Sequence, residues 1–486
     1  MSRGNQQNLT FEGSAPQSVP IARLPTEVLM KVFKTYAESY PAVRDQRVVD
    51  LCLVSTYWNA VANDTPQLWT KINLTFPFAD HHLAAMLKRV HASKLEKIDI
   101  SIDFREPGWD GYEPHYDMSE QTLTRESVWV QDILTRLRNT EKRWKSIEVV
   151  SEAWLPLHKL MEGWTFTKLP SLESISMKRD NYIFGMQNVR FDPVPLIGPM
   201  TLFGPNASLP RLCDLSLSAV HIDWDDAFVT YQNLRKLEIN NIPYDVGPSF
   251  EQFAAMLSSS PRLEYLGVSG FCPEHHTGPD PPADEDPEIP VVHLPALKEF
   301  AFGWKDVDFG YDFLQMFQIG NSLESLTLID TESSPDCWKN SQTGARHWVQ
   351  DSEGIFEALY YLGSEAPRNE DDMPPRPFIS MCGVKRLRII STRAAQSSLI
   401  DLLKTLTELE EIWLEDVDTN VLEDVTSVQV ENSGATGCQP LRRLDLRWTW
   451  EKGVPSFAEP SILQLKSAGI EATVQAAEDW QVGQGW

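Results

Sequence analysis

Apolar positions divide the chain into two textures that meet near residue 72. Before that point they recur at helical intervals. Leu24, Val28, Leu29, Val32, Phe33 and Tyr36 fall at i, i+4, i+5, i+8, i+9 and i+12, the single stripe of an amphipathic helix. Pro25 suits the first turn, where its missing N–H costs nothing, and Thr26-Glu27 suits a helix N-terminus. Pro41 interrupts the pattern. A second helical run, "RVVDLCLVSTYWNAVAN", carries Val48, Leu51, Val54, Trp58, Val61 and Ala62 and stops before "DTPQLW". Residues 1–19 are polar and read as a disordered tail.

After residue 72 one short pattern, L-x-x-L-x-L with conservative swaps, predicts strands. Its copies begin at Leu95, Trp144, Leu172, Leu212, Leu234, Leu263, Leu297, Leu323, Val384, Leu409 and Leu441. Several follow "LP" or "SP". The ten intervals from Leu95 to Leu441 span 346 residues, longer than a plain leucine-rich repeat of roughly 20–29. The excess lies in insertions at 104–120, 178–208, 272–290 and 331–380. Helix-like runs at 81–90, 128–139, 250–259, 312–320, 355–363 and 398–406 separate the copies, and "SILQLKSAGIEATVQ" makes a closing helix–strand unit. One such unit cannot bury its apolar face alone, whereas stacked neighbours can. The expected fold is α/β: a small helical domain over 20–70, then an irregular leucine-rich-repeat-like solenoid over 71–486, with parallel strands on its concave face and helices outside. The alternative is a set of unrelated amphipathic strands in an α/β domain.

Composition then removes function classes. The 486 residues are 42% hydrophobic and 23% charged, ordinary for a globular protein. The net charge of −26 repels phosphate backbones and anionic membranes, so neither nucleic acid nor membrane is expected as a partner. Six scattered cysteines (52, 213, 272, 337, 382, 438) form no Cys-x-x-Cys pair, and no signal peptide or 18-residue apolar run is seen. A reducing intracellular compartment, cytoplasmic or nuclear, is expected. The sequons at Asn8, Asn63, Asn73 and Asn206 are then chance matches. The Pro-rich acidic runs at 278–290 and 364–377 read as solvated loops or lids.

Leu24-Pro25, Glu27, Leu29 and Phe33, followed by Leu51…Val54…Trp58 and Thr65-Pro66…Leu68-Trp69, resemble an F-box domain in the form common in fungal proteins. The resemblance covers Ile21 to about Trp69. It implies docking to the Skp-type adaptor of a cullin–RING ubiquitin ligase, with the rest of the chain as substrate receptor. The residues assigned to adaptor binding are Leu24, Pro25, Val28, Leu29, Val32, Phe33, Leu51, Val54 and Trp58. A module this small has a marginal core, so its stripe must divide between core and partner. Alternatively the stripe packs on the first solenoid helix.

Catalytic motifs are missing: no G-x-S-x-G, P-loop, G-x-G-x-x-G or H-E-x-x-H occurs. Cys272, His275 and His276 lack a second ligand pair, and Asp223, Asp225 and Asp226 read as a helix start. No enzyme, cofactor or metal is expected. In the strands, residues flanking the last two apolar positions face the concave surface. There the last copies bring Arg386, Arg388, Trp413, Arg443 and Arg447 together, a set suited to an acidic or phosphorylated protein segment. Internal pairing with Glu411, Glu415 and Asp445 is the competing reading. A leucine-rich-repeat scaffold in a non-ubiquitin assembly and an orphan α/β hydrolase are the competing functions.

Overall fold

The computed structural model describes residues 24–475 apart from 41–42, 109–119, 165–167, 181–189, 205–206, 272, 274–288, 332–351, 365–375, 395–397, 434–440 and 449–457. The tail at 1–19, Pro41, the Cys272–His275–His276 group, Cys337, Cys438 and most of the two Pro-rich acidic runs lie outside the described residues. Residues cluster into two compact units, Met1–Ile72 with Ala85–Ile98, and Asn73–Ala84 with Asp99–Trp486.

The first unit is helical. It holds α1 (Thr26–Glu38), α2 (Arg44–Val54), α3 (Thr56–Asn63) and a 3-10 turn at Pro66–Trp69. The Pro25 carbonyl opens α1 by accepting from the Val28 and Leu29 amides at 3.0 Å. The run expected as one helix over 47–63 is two. Ser55 is fully extended (φ −164°, ψ 164°), and its side chain accepts from the Trp58 amide, capping α3. A serine that satisfies an orphan N–H favours a new start over a continued helix. Ser55→Ala should cost about 1 kcal/mol of module stability, read from denaturant unfolding. Arg47 fixes the α1–α2 angle: its guanidinium donates to the Tyr36 carbonyl (2.7 Å) and the Ser39 hydroxyl (2.6 Å), and lies 3.9 Å from the Tyr40 ring centroid. Residues 85–98 belong here through Arg89, which pairs with Asp45 at 2.6 Å.

The rest of the chain builds a thirteen-stranded sheet whose order follows the sequence. Its strands are β1 (Lys71–Thr75), β2 (Ile98–Asp103), β3 (Trp144–Ser151), β4 (Ser174–Arg179), β5 (Asp214–Ser218), β6 (Lys236–Asn240) and β7 (Tyr265–Ser269), followed by β9 (Glu299–Trp304), β11 (Ser325–Asp330), β13 (Arg386–Ile390), β14 (Glu411–Glu415), β15 (Arg443–Arg447) and β16 (Ala472–Gln475). From β3 to β16 every neighbouring pair is parallel. All eleven L-x-x-L-x-L copies lie in this sheet. Their last two apolar positions form in-register ladders, Ile147 to Leu444 and Val149 to Leu446, with no member of either more than 1% exposed. Each buried aliphatic contributes about 1.5–3 kcal/mol of gross transfer energy. The leading residue of most copies is also buried, but Leu95 is 91% exposed.

A second, three-stranded sheet, which the sequence pattern did not announce, is made of β8 (Val292–His293), β10 (Phe317–Ile319) and β12 (Phe378–Ile379), parallel in the order β12-β10-β8. Each precedes the next long strand by a few residues, and the Lys168–Ser208 bridge occupies the same place before β4 and β5. The recurrent "LP" falls between a short strand or bridge and the long strand after it: Leu169 donates its N–H to the Ser208 carbonyl, and Leu294 to that of Gln318. The expected helix at 312–320 therefore ends early, at Leu314, because Phe317 and Ile319 are needed as strand.

The helices are α4 (Asp80–Ala92), α5 (Glu120–Leu137), α6 (Trp154–Gly163), α7 (Trp224–Thr230), α8 (Phe250–Ser258), α9 (Val307–Leu314), α10 (Glu353–Ser364), α11 (Ser398–Thr405), α12 (Thr419–Ser433) and α13 (Glu459–Ser467). From α9 to α13 each packs on the next. Asp223 caps α7, as a helix start should. After β5, β6, β7, β13 and β14 the next residue turns left-handed: Ala219, Asn241, Gly270, Ser391 and Asp416, with φ from 53° to 70°. Each donates its N–H to the end of the following strand, extending the ladder by one bond before the chain leaves the sheet.

At the ends of β3 to β5 a polar ring is sealed in. His221, 2% exposed, stacks on Trp154 (4.5 Å between centroids) and meets the edge of Phe191 (4.4 Å). Burial pushes its pKa down to about 4, against a partial rise from the Gly198 carbonyl; neighbouring His158 and Arg179 push the same way as burial.

Candidate functional site

Two surfaces carry the residues singled out in the sequence, one in each unit. On the helices, the stripe of α1 splits. Leu29 and Phe33 are completely buried and join Ala37, Val48, Leu51, Val61, Ala62 and Leu68 in one core cluster. Trp58 packs against that cluster, its ring 4.8 Å from the Phe33 ring. The other half of the stripe faces outward: Val28, Val32 and Tyr36 are about two-fifths exposed. Pro25 is exposed and Leu24 half-buried. Thr26 Oγ1 lies 3.3 Å from the Tyr57 hydroxyl, so α3 flanks the N-terminus of α1. Tyr57 is itself exposed. On α2, Leu51 is buried, while Val54 at 58% and its neighbour Leu53 at 77% are exposed.

Of the nine residues assigned to docking, three (Leu29, Phe33, Leu51) are core and Trp58 supports them. Pro25, Val28, Val32 and Val54 present apolar surface. Tyr36, Leu53 and Tyr57 are further exposed apolar residues that the assignment left out. The i+4 spacing from Val32 to Tyr36 carried the signal for the first.

On the sheet, the second set comes together as expected from the repeat register. Arg386, Glu411 and Arg443 are partners in one cross-strand row; Arg388, Trp413 and Asp445 form the next; Ile390, Glu415 and Arg447 form the third. The three rows share one face, because alternate residues of a strand point the same way. Every one of the four arginines meets a carboxylate. Arg388 donates to Glu415 at 2.8 Å, and Arg447 lies 3.3 Å from the other oxygen of Glu415. Arg443 sits 2.6 Å from Asp445, and Arg386 reaches over β11 to Glu299 at 3.1 Å. The Arg388 guanidinium also lies 5.1 Å from the Trp413 ring centroid. Glu415 and Asp445 match the partners foreseen for internal pairing; Glu299 does not. Asp445 and Arg447 are buried at 3% and 4% exposure, so the face is closed toward its C-terminal rows and open at Arg386, Glu411 and Arg443.

Among the described residues no helix is long and apolar enough to cross a membrane. Residues 21–75 match the F-box-like family. No curated protein matches the chain. The matched span takes in α1, α2, α3, the 3-10 turn and β1, and the chain carries an F-box-like domain there.

Proposed function

We propose that this chain is the substrate-recognition subunit of a Skp–cullin–F-box type ubiquitin ligase. The F-box-like domain docks the Skp-type adaptor, and a leucine-rich-repeat-like solenoid holds a protein substrate. The observation that carries the reading is the split stripe of α1. Leu29 and Phe33 complete a small core, and what remains, Val28, Val32 and Tyr36 beside Pro25, is apolar surface with no use inside the module. Contiguous exposed apolar surface of this kind marks a protein interface. The match of residues 21–75 to the F-box-like family supports a Skp-type adaptor as its occupant. Eleven L-x-x-L-x-L copies in a sheet that keeps sequence order support the repeat reading of the remainder.

In this role the chain needs no catalytic residue. It holds a substrate lysine near the charged conjugating enzyme, raising effective concentration. The second reading is a repeat scaffold that uses the same helices in a non-ubiquitin assembly. Pull-down with a Skp-type adaptor separates the two. The intact chain should retain the adaptor and Leu24→Asp/Pro25→Ala should lose it; an intact chain that retains none supports the scaffold.

A further inference from the structure

We infer that the charges at the entry of each strand form one ladder that selects the correct neighbour for every strand from β6 to β15. The inference concerns the array of strands itself and does not depend on the ubiquitin-ligase reading.

The apolar rows cannot make that selection. Their first position is Leu in five of the seven strands, with Phe300 and Ile412 in the other two. The core face of one strand therefore fits beside almost any other. Connections are also long enough to reach past a neighbour, since residues 331–385 join β11 to β13. A stack of near-identical units needs something else to fix its order.

The residue immediately before each strand supplies it. Arg235 precedes β6, Glu264 β7, Lys298 β9 and Glu324 β11; Lys385, Glu410 and Arg442 precede β13, β14 and β15. The sign alternates at every step, and Cys213, before β5, breaks the series. The backbone aligns these positions. From Glu264 onward each N–H donates to the carbonyl of the preceding member at 2.7–2.9 Å. Neighbours thus stand about 4.8 Å apart across the sheet. Lys298 meets Glu264 at 2.9 Å, and Arg442 meets Glu410 at 2.8 Å. Influence passes beyond the closest pair. Lys298 holds the Glu264 carboxyl below its usual range and Arg235 adds to it, while Glu264 raises Lys298 and Glu324 adds to that. Arg386, Glu411 and Arg443, adjacent in the next row, alternate in the same way.

Skipping one strand would set like against like at every step. Arg235 would face Lys298, Glu264 would face Glu324, and the mismatch would continue to Lys385 against Arg442. Exposed ion pairs are individually weak. The correct neighbour nevertheless gains attraction where the wrong one meets repulsion, and the difference recurs along the array.

The test uses the full chain and amide hydrogen exchange in β7 and β9. Glu264→Lys/Lys298→Glu keeps the closest pair with its signs exchanged. It also sets cation against cation at 235 and 264, and anion against anion at 298 and 324. Exchange should accelerate about tenfold at low ionic strength. In about 1 M NaCl, where screening acts within roughly 3 Å, it should come within about twofold of the parent in the same salt. Reversing all seven charges restores the alternation and should return low-salt exchange to within about twofold of the parent. A swap that exchanges like the parent at low salt would make the close pair an isolated bridge and overturn the inference. So would an acceleration that persists in high salt, a full reversal that exchanges as fast as the swap, or a swap that fails to fold in both salts.

Discussion

Phe33→Ala is expected to destabilise the F-box-like module by about 3–5 kcal/mol, the usual cost of emptying a buried aromatic site. The side chain is fully buried and its ring is the centre on which Trp58 and Leu29 close. The core has eight buried residues, two of them alanines. A core that small has little reserve, and typical domain stabilities are only about 5–15 kcal/mol. Amide hydrogen exchange in α1 to α3 should therefore speed up by roughly two to three orders of magnitude. Val32→Ala, one residue away but facing outward, should stay within about 0.5 kcal/mol of the parent. Equal losses from both substitutions would mean that the stripe does not divide as described.

The second large effect is acid sensitivity at His221. Burial lowers the folded-state pKa to about 4, whereas an unfolded histidine titrates near 6.5. Below pH 6.5 the unfolded chain gains a proton that the folded chain refuses, so stability is full above that value and falls as pH drops toward 4. The gap corresponds to about 3 kcal/mol. The ring has little room to adapt: Trp154 covers one face, Phe191 abuts it, and Arg179 stands near as a cation that disfavours another positive charge. His221→Leu removes the titrating group and keeps the volume. The stability difference between parent and variant, measured by hydrogen exchange in β4 and β5, should shift by about 3 kcal/mol between pH 7 and pH 4. Parallel profiles would contradict the buried, neutral ring.

Much of the fold is legible in the apolar spacing, because a repeat that must stack its neighbours advertises the same three positions each time. Leu172, Ile175 and Met177 are buried together, as are Leu323, Leu326 and Leu328. Where the stacking need is weaker, the pattern misleads: Leu95 has the right letter and almost full exposure. Helix α12 went unread because its inward side includes Thr426 and Gln429, both buried, which blur the helical period. The three-stranded sheet went unread because strands of two or three residues carry no periodicity. At the sites, spacing identifies an apolar stripe but not which half a core will claim; that depends on where Val48 and Val61 arrive from other helices. Nor does spacing choose ion-pair partners. Arg386 takes Glu299, distant in sequence and brought two strands away by the parallel order, rather than Glu411 beside it.

The two surfaces have opposite characters. The helices offer exposed valines and tyrosines. The sheet face of β13 to β15 offers arginines that stand beside carboxylates of the same sheet.

The most direct test is a calorimetric titration of a purified Skp-type adaptor into the full chain and into Val28→Asp/Val32→Asp. Both substituted positions are solvent-facing, so the variant should unfold at the same denaturant concentration as the parent. The parent should bind with one-to-one stoichiometry and the variant should lose at least about a hundredfold in affinity. A folded variant that binds as tightly as the parent, or a parent that does not bind, would contradict the assignment of the exposed α1 stripe as the docking surface.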